Sequence, residues 1–87
     1  MKNLERTMKA LANGRRILII RHLGKHKNSS VGDIARAIKL SIKATSKHLG
    51  ILYAAELVDK EQKSVLVGYF LPTKPHPLVR YISNSRE

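Results

Sequence analysis

Residues 29–52 read SSVGDIARAIKLSIKATSKHLGIL, and this stretch decides the fold of the 87-residue chain. Ser30 stands three residues before Asp33, a pattern in which the serine oxygen accepts a hydrogen bond from a free backbone amide of the first helical turn. A helix is therefore predicted to begin near Val31, with apolar residues following at the three-to-four spacing of one buried face. Ser41 caps the chain again, so a second helix should follow after a tight turn.

The second helix has two contrasting sides when its residues are projected at about 100° each. The largely apolar side is formed by Ile42, Thr45, Leu49 and Leu52. The other side carries Lys43 and Lys47 with the small Ala44 between them. A small residue lets a helix backbone approach a major groove about 12 Å wide, and Ser46 can bond a base or a phosphate. The pattern is that of a helix-turn-helix and favours DNA recognition over a merely solvated lysine face.

The charge of the chain indicates a polyanionic partner. The sequence holds 17 Lys and Arg against 6 Asp and Glu, a formal net charge of +11. Between residues 14 and 50 there are nine Lys or Arg but a single acid, Asp33. Charge alone does not distinguish duplex DNA from RNA or acidic lipid. The helix-turn-helix spacing favours duplex DNA, and the scarcity of aromatic residues, one Phe and three Tyr, argues against stacking of single-stranded RNA.

Two further helices are predicted before this motif, in a chain short enough for only one domain. Leu4, Met8 and Leu11 form a helical stripe that ends at residues 13–14. Residues 16–23 form a second helix that is apolar on much of its surface, and we expect it to be the central core helix.

The C-terminal half is predicted to add a small β-hairpin and a last helix. Residues 57–71 alternate with a period of two around a polar tip at residues 62–64. Residues 29–31 form an extended step that is able to pair with this hairpin. Pro77 suits the first turn of a helix. The fold class is therefore mainly α with a small β-hairpin (α+β), as one winged helix-turn-helix domain over residues 1–87.

The ordered set of short motifs resembles that of the ArsR-type winged helix-turn-helix regulators. The resemblance covers about residues 8–71 and rests on Ala10-Leu11-Ala12-Asn13 with Arg16 and Ile19-Ile20, Ser30-Val31-Gly32-Asp33-Ile34-Ala35, Leu40-Ser41, Ser46-Lys47-His48-Leu49 and Leu57-Val58. No single motif is specific, but the set in this order is. The resemblance implies a dimeric transcriptional regulator. Residues 42–54 would read the major groove of double-stranded DNA, and the wing, residues 57–71, would touch the adjoining backbone or minor groove.

The resemblance also implies a homodimer, because the first and last helices of this family pair across a two-fold axis. The corresponding segments here are residues 1–12 and 76–85. Their apolar candidates for the interface are Leu4, Met8, Leu11, Leu78 and Ile82. Packing of the same residues within one chain is the alternative.

Candidate DNA-contacting residues lie on both helices of the motif, in the turn between them and on the wing. They are Arg36, Lys39, Ser41, Ile42, Lys43, Ala44, Ser46, Lys47, His48, Lys60 and Lys63. The helical projection favours partial burial of Ile42, whereas the resemblance implies a DNA contact, such as one to a thymine methyl. We expect Lys63 to contact a phosphate, although Asp59 and Glu61 make a deep insertion of the wing into the minor groove unfavourable. His48 flanks the apolar stripe, where a phosphate contact and simple packing both fit.

Four positions depart from the family pattern, and one of them is Ile42, which replaces a polar groove-facing residue of the family. Lys39 and Glu56 stand where relatives usually have glycine, so a left-handed backbone there would be mildly strained. Gly50 lies inside the second helix of the motif at a cost of about 1 kcal/mol relative to alanine, which indicates either close packing or a looser helix end.

Enzyme and metal sites are disfavoured. The absence of cysteine excludes a disulfide and a thiolate zinc site. No catalytic triad, carboxylate pair or glycine-rich phosphate loop is recognisable, so a non-enzyme without catalytic residues or a cofactor is predicted. His22 and His26 stand four residues apart, but the helix is expected to end at Gly24 and no third ligand is evident. His76 sits beside prolines, so all three histidines are interpreted as solvated or partly packed.

The remaining expectations concern location and alternative functions. The longest apolar run, residues 17–20, is far below the roughly 20 residues that cross a bilayer, and the N-terminus lacks a signal-peptide core. We therefore expect a soluble, cytoplasmic protein without a membrane partner. Two alternatives to a DNA-binding regulator stay open. One is a basic winged-helix adaptor that binds RNA or an acidic protein without reading sequence, and the other is a sensor of a small molecule or a histidine-ligated metal.

Overall fold

Five helices and three strands make up residues 2–85, the part of the chain that this computed structural model describes. The helices are α1 (Lys2–Leu11), α2 (Gly14–Lys25), α3 (Val31–Ile38), α4 (Ile42–Ala54) and α5 (Pro77–Asn84), and the strands are β1 (Ser29–Ser30), β2 (Asp59–Lys63) and β3 (Leu66–Phe70). The predicted fold class and the predicted order of elements are confirmed.

Side-chain caps begin the helices of the central motif where the sequence places them. The Asp33 backbone N–H donates to Ser30 Oγ at 3.1 Å, and the Ala44 N–H donates to Ser41 Oγ at the same distance. Such caps satisfy backbone amides that the helix itself leaves without a partner. Asn13 caps α2 in the same way, accepting from the amides of the second and third residues after it. Because these signals are local, the predicted bounds of α4, residues 42–54, agree with the structure.

Helix α2 lies at the centre of the core, as predicted. Its buried residues Ile19, Ile20 and Leu23 are at most 3% exposed. Around them pack the buried apolar residues of the other elements, namely Ala10, Leu11, Ile34, Ile38, Leu49, Leu52, Leu57, Val58 and Val79. The outer side of α2 is less buried than the sequence suggests, since Leu18 is 43% exposed.

Both helices of the motif end on a left-handed residue. Lys39 has φ 58° and Glu56 has φ 61°. After α4, the Leu57 N–H donates to Leu52 O at 3.0 Å and the Glu56 N–H donates to Tyr53 O at 2.9 Å. The same pair of bonds closes α3, and this is the Schellman pattern in which glycine is usual. The strain anticipated at the two non-glycine positions is thus present in the backbone.

A three-stranded antiparallel sheet of order β1-β3-β2 forms the wing and its root. The predicted pairing of the extended step is confirmed, because Ser29 and Ser30 pair with Tyr69 and Gly68 of β3. The hairpin begins later in the sequence than expected. Residues 57–58 are buried in the core, so β2 begins two residues later than predicted.

The loop of the hairpin also differs from expectation. Lys63 pairs with Leu66, so the loop is Ser64–Val65, and the prediction of a polar tip at residues 62–64 was wrong. Cross-strand register, which the alternating pattern does not specify, fixes this position. None of the helices within residues 2–85 combines the length and the apolar character needed to cross a membrane.

Candidate nucleic-acid interface

Helix α4 is anchored on one side and presents cations on the other. Thr45, Leu49 and Leu52 are 0% exposed and fix the inner side of the helix against the core. Lys43 and Lys47 are exposed on the outer side. Among the described residues, neither ammonium group has a carboxylate within ion-pair distance. The two lysines are therefore available to a polyanion without first giving up an ion pair.

The N-terminal turn of α4 brings small polar groups next to these lysines. Ser41 and Ser46 are exposed, and Ala44 is half-buried. The Ser41 hydroxyl oxygen serves as the cap, but its O–H still has a proton to donate. Helix N-termini attract anions through their free amides and their dipole, so this end of α4 suits a phosphate.

Ile42 is a correction to the helical projection. The side chain is 57% exposed, so the expected partial burial on the core stripe was wrong. Ile42 is the first residue of α4 and lies one turn before Thr45, where the stripe enters the core. The projection fixes only the angle of a side chain around the helix axis and not whether the core extends that far. Ile42 therefore adds an apolar surface beside Lys43.

The cations before α4 are exposed. Arg36 Nη1 lies 3.1 Å from Asp33 Oδ1, with both side chains more than half exposed. An exposed pair of this kind contributes little stability, so the guanidinium is free to exchange the carboxylate for a phosphate. Lys39, the left-handed residue at the end of α3, is exposed as well.

The wing lysines are held by neighbours, in contrast to those of α4. Lys60 Nζ lies 4.4 Å from the centroid of the Tyr53 ring, a cation–π contact that ties the wing to the end of α4. Lys63 Nζ lies 3.8 Å from Glu61 Oε1. Tyr53 thus joins the candidate interface through Lys60. The sequence did not predict this, since it shows only an aromatic residue seven positions before a lysine.

His48 connects helix α4 through Arg16 to α2 and the end of α1. Arg16 Nη1 donates to His48 Nδ1 at 3.1 Å, while the same guanidinium also donates to the carbonyls of Lys9 and Ala10 at the end of α1. Burial lowers the pKa of His48, and the positive charges of Arg16, Arg15 and Lys47 lower it further. The imidazole is thus neutral with Nδ1 as acceptor, which leaves Nε2–H as a donor.

The five dimer candidates differ in how far they are buried within one chain. Leu4 and Met8 of α1 are 42% and 56% exposed, so a large part of each side chain faces solvent in one protomer. Leu11 is 6% exposed and belongs to the core. Leu78 and Ile82 of α5 are half-buried against that core. The sequence left packing within one chain open as the alternative. Leu11 packs fully in this way, and the two α5 residues do so in part.

The remaining histidines have structural partners. Helix α2 continues past Gly24 to Lys25, contrary to the expected end, and the rings of His22 and His26 stack with centroids 4.4 Å apart. Burial and the neighbouring His26 lower the pKa of His22. His76 Nδ1 accepts from the Leu78 N–H at 3.1 Å and so caps α5, a role the sequence reading missed. Within the described residues, no group of three or more potential ligands is placed to hold a metal.

Comparison with known proteins decides the family. The sequence profile described as "Bacterial regulatory protein, arsR family" matches residues 13–60. The chain belongs to the ArsR family. Members of this family and of its winged helix-turn-helix fold are transcriptional regulators and not enzymes. No curated protein matches the chain.

Solved structures of ArsR-family regulators share the fold. Reduced HlyU from Vibrio cholerae N16961 is 29% identical with a TM-score of 0.79, and the match covers 94% of this chain and 82% of that one. NolR from Sinorhizobium fredii is 30% identical with a TM-score of 0.81, covering 93% and 77%. Mb0332 from Mycobacterium bovis is described as a homodimeric winged helix-turn-helix DNA-binding domain and a possible ArsR-family regulator. It is 27% identical with a TM-score of 0.83, covering 94% and 73%.

Proposed function

We propose that this ArsR-family chain binds double-stranded DNA sequence-specifically as a homodimeric transcriptional regulator. Helix α4 enters the major groove, and the wing rests on the adjoining backbone. The observation that carries the proposal is the pair Lys43 and Lys47, exposed and without carboxylate partners among the described residues, on a helix whose opposite side is fully buried. Such a regulator works in the cytoplasm, where bacterial DNA lies.

Dimerisation through α1 and α5 supplies the second recognition helix. Leu4 and Met8 leave an apolar stripe on α1 that a two-fold related copy would cover. The relative Mb0332 is described as homodimeric, which supports the same assembly here. In a symmetric dimer, the two α4 helices reach successive major grooves about 34 Å apart, so the preferred operator is nearly palindromic.

Selection from a pool of randomised duplexes tests this function. We expect the purified protein to enrich a two-fold symmetric motif. Uniform retention of all duplexes would instead support the adaptor without sequence readout, as would a preference for RNA over duplex DNA in direct competition.

Titration with salt on the enriched duplex then measures the electrostatic contribution to the binding free energy. If a dimer neutralises about six to ten phosphates, the affinity falls by about 10³ to 10⁵ between roughly 50 and 200 mM salt, because binding releases condensed counterions. An affinity that does not change with salt contradicts the proposal, since a protein with a net charge of +11 would then be binding DNA without phosphate contacts.

A further inference from the structure

The tip of the wing presents two aliphatic side chains to solvent. Val65 is 87% exposed and Leu66 is 65% exposed, the first in the two-residue loop and the second at the start of β3. The stem below them is polar, since residues 59–63 read DKEQK and are all exposed. An aliphatic pair therefore occupies the point of the hairpin that projects furthest from its root.

Neither the turn nor the core requires these residues. Two-residue loops favour glycine, asparagine or aspartate, and Ser64 already provides the left-handed position with φ 60°. Leu66 lies opposite Lys63, and paired residues share a face of the sheet, so its side chain lies beside that lysine. The wing instead contributes to the core further along, through Tyr69 and Leu71. Contact with a partner accounts for the tip better than folding does.

The charges around the tip indicate that this partner is the DNA already assigned to α4. Lys63 flanks the tip, and Lys60 packs on Tyr53 of α4, which makes the wing continuous with the recognition helix. A duplex held by α4 therefore lies within reach of the wing. Glu61 of the stem would repel a phosphate, but Lys63 lies 3.8 Å from its carboxylate and offsets that charge.

We propose that Val65 and Leu66 insert into the minor groove next to the major groove that α4 reads. Aliphatic side chains wedged between base pairs partly unstack them and bend the duplex. Pyrimidine–purine steps deform most easily, so the wing would favour such a step at a fixed distance from the bases under α4. The inference rests on the proposed function and adds a specificity element to it. It also revises the expectation that the acids of the wing prevent insertion, because only the uncharged tip enters.

The double variant Val65→Ser/Leu66→Ser tests the inference. Both side chains are exposed, so the variant is expected to melt like the parent protein. On the duplex that the parent protein enriches, we expect about tenfold weaker binding, as follows from losing partial burial of two aliphatic side chains. The preference for the flanking step should disappear. With 2-aminopurine at that step, fluorescence should rise when the parent protein binds and stay unchanged with the variant.

Two controls separate this effect from others. Leu18→Ser makes the same chemical change at an exposed position of α2 and should leave affinity and fluorescence unchanged. Lys63→Ala should instead reduce the salt dependence of binding, because it removes one phosphate contact.

The outcomes distinguish this inference from the function on which it rests. If the parent protein enriches a motif and the double variant binds it with unchanged affinity and step preference, the insertion is refuted while the function stands. If the parent protein enriches no duplex at all, both are refuted.

Discussion

Lys43 and Lys47 differ in their surroundings from Arg36 and from the wing lysines Lys60 and Lys63. The wing lysines have an aromatic ring or a carboxylate beside them, whereas the α4 lysines have no carboxylate nearby in the described chain. The sequence predicted the two α4 lysines correctly as surface residues, because a periodic pattern defines the angle of a side chain around its helix. The same pattern failed for Ile42, because burial at a helix end depends on where the neighbouring elements stop.

Alanine at Lys43 or Lys47 should weaken binding to the preferred operator more than binding to random duplex. A lysine that contacts base edges discriminates by about 1–3 kcal/mol, whereas a phosphate contact is the same for every sequence. Lys63→Ala is the matched control and should weaken both kinds of binding alike. Fluorescence anisotropy with both duplexes gives, for each variant, the ratio of its affinity for the operator to its affinity for random duplex. If this ratio is the same for all three variants, the placement of α4 in the major groove is contradicted.

His48 makes folding stability depend on pH. Its pKa is lowered from 6.5 in the folded protein, chiefly by burial, so the unfolded chain binds the proton more tightly. The contribution of neutral His48 is complete above pH 6.5 and is lost as the pH falls below that value towards the lower pKa of the folded protein. Protonation also removes the acceptor for Arg16. We expect His48→Gln to flatten the stability profile between about pH 7 and 5, as measured by urea unfolding.

The His22→Gln variant serves as the comparison for this experiment. The pKa of His22 is lowered too, by burial and by His26, with Asp33 opposing the change. Each single variant should remove part of the pH dependence of the unfolding free energy, and the double variant should remove more than either single variant. An unchanged slope in the His48→Gln protein would show that the bond to Arg16 does not select the neutral ring.

At the scale of elements, the serine caps of α3 and α4 were predicted correctly and the position of the hairpin loop was not. The caps at Ser30 and Ser41 act within one helical turn, so the starts of α3 and α4 follow from the sequence alone. The hairpin loop at Ser64–Val65 is set by pairing between strands. The cap of α5 by His76 was not predictable from the sequence, because histidine is not a usual capping residue.

Two helical glycines are predicted to respond in opposite ways to alanine. A Cβ at Gly24 would lie 2.7 Å from Ser83 Cβ, so Gly24→Ala should push α5 away from α2 and destabilise the fold by about 1–3 kcal/mol. A Cβ at Gly50 meets nothing within 4 Å, and α4 continues to Ala54, so neither close packing nor a loose end explains this glycine. Gly50→Ala should stabilise the fold by about 0.5–1 kcal/mol.

Chemical denaturation of the two proteins checks this pair, and each is the control for the other. Destabilisation by Gly50→Ala would mean that α4 needs a flexible position there. A neutral Gly24→Ala would mean that α5 is not tightly seated on α2.

At the scale of the whole molecule, the net charge and the exposed apolar residues of α1 support the proposed DNA and second protomer as partners. The net charge of +11 is visible in the sequence, and so is the stripe of Leu4, Met8 and Leu11. Which of these three residues remain at the surface was not predictable, because that depends on how α1 is placed against α2 and α4. The structure buries Leu11 and leaves the other two exposed.

Charging this stripe should separate assembly from folding. Leu4→Glu/Met8→Glu is expected to yield a folded monomer, because neither side chain is part of the core. Its affinity for the symmetric operator should fall by at least 100-fold, since two linked contacts gain about 10²–10⁴ in affinity over one. Sedimentation and DNA titration measure the two effects. A variant that stays dimeric would place the interface elsewhere.

Methylation interference at guanine N7 tests the entry of α4 into the major groove most directly. This atom lies in the major groove, and its methylation leaves base pairing and the phosphates intact. On the operator enriched by the protein, methylation should block binding at two clusters of positions about one helical turn apart, related by the two-fold axis. Binding that is indifferent to N7 methylation everywhere in an enriched, guanine-containing motif would contradict the account.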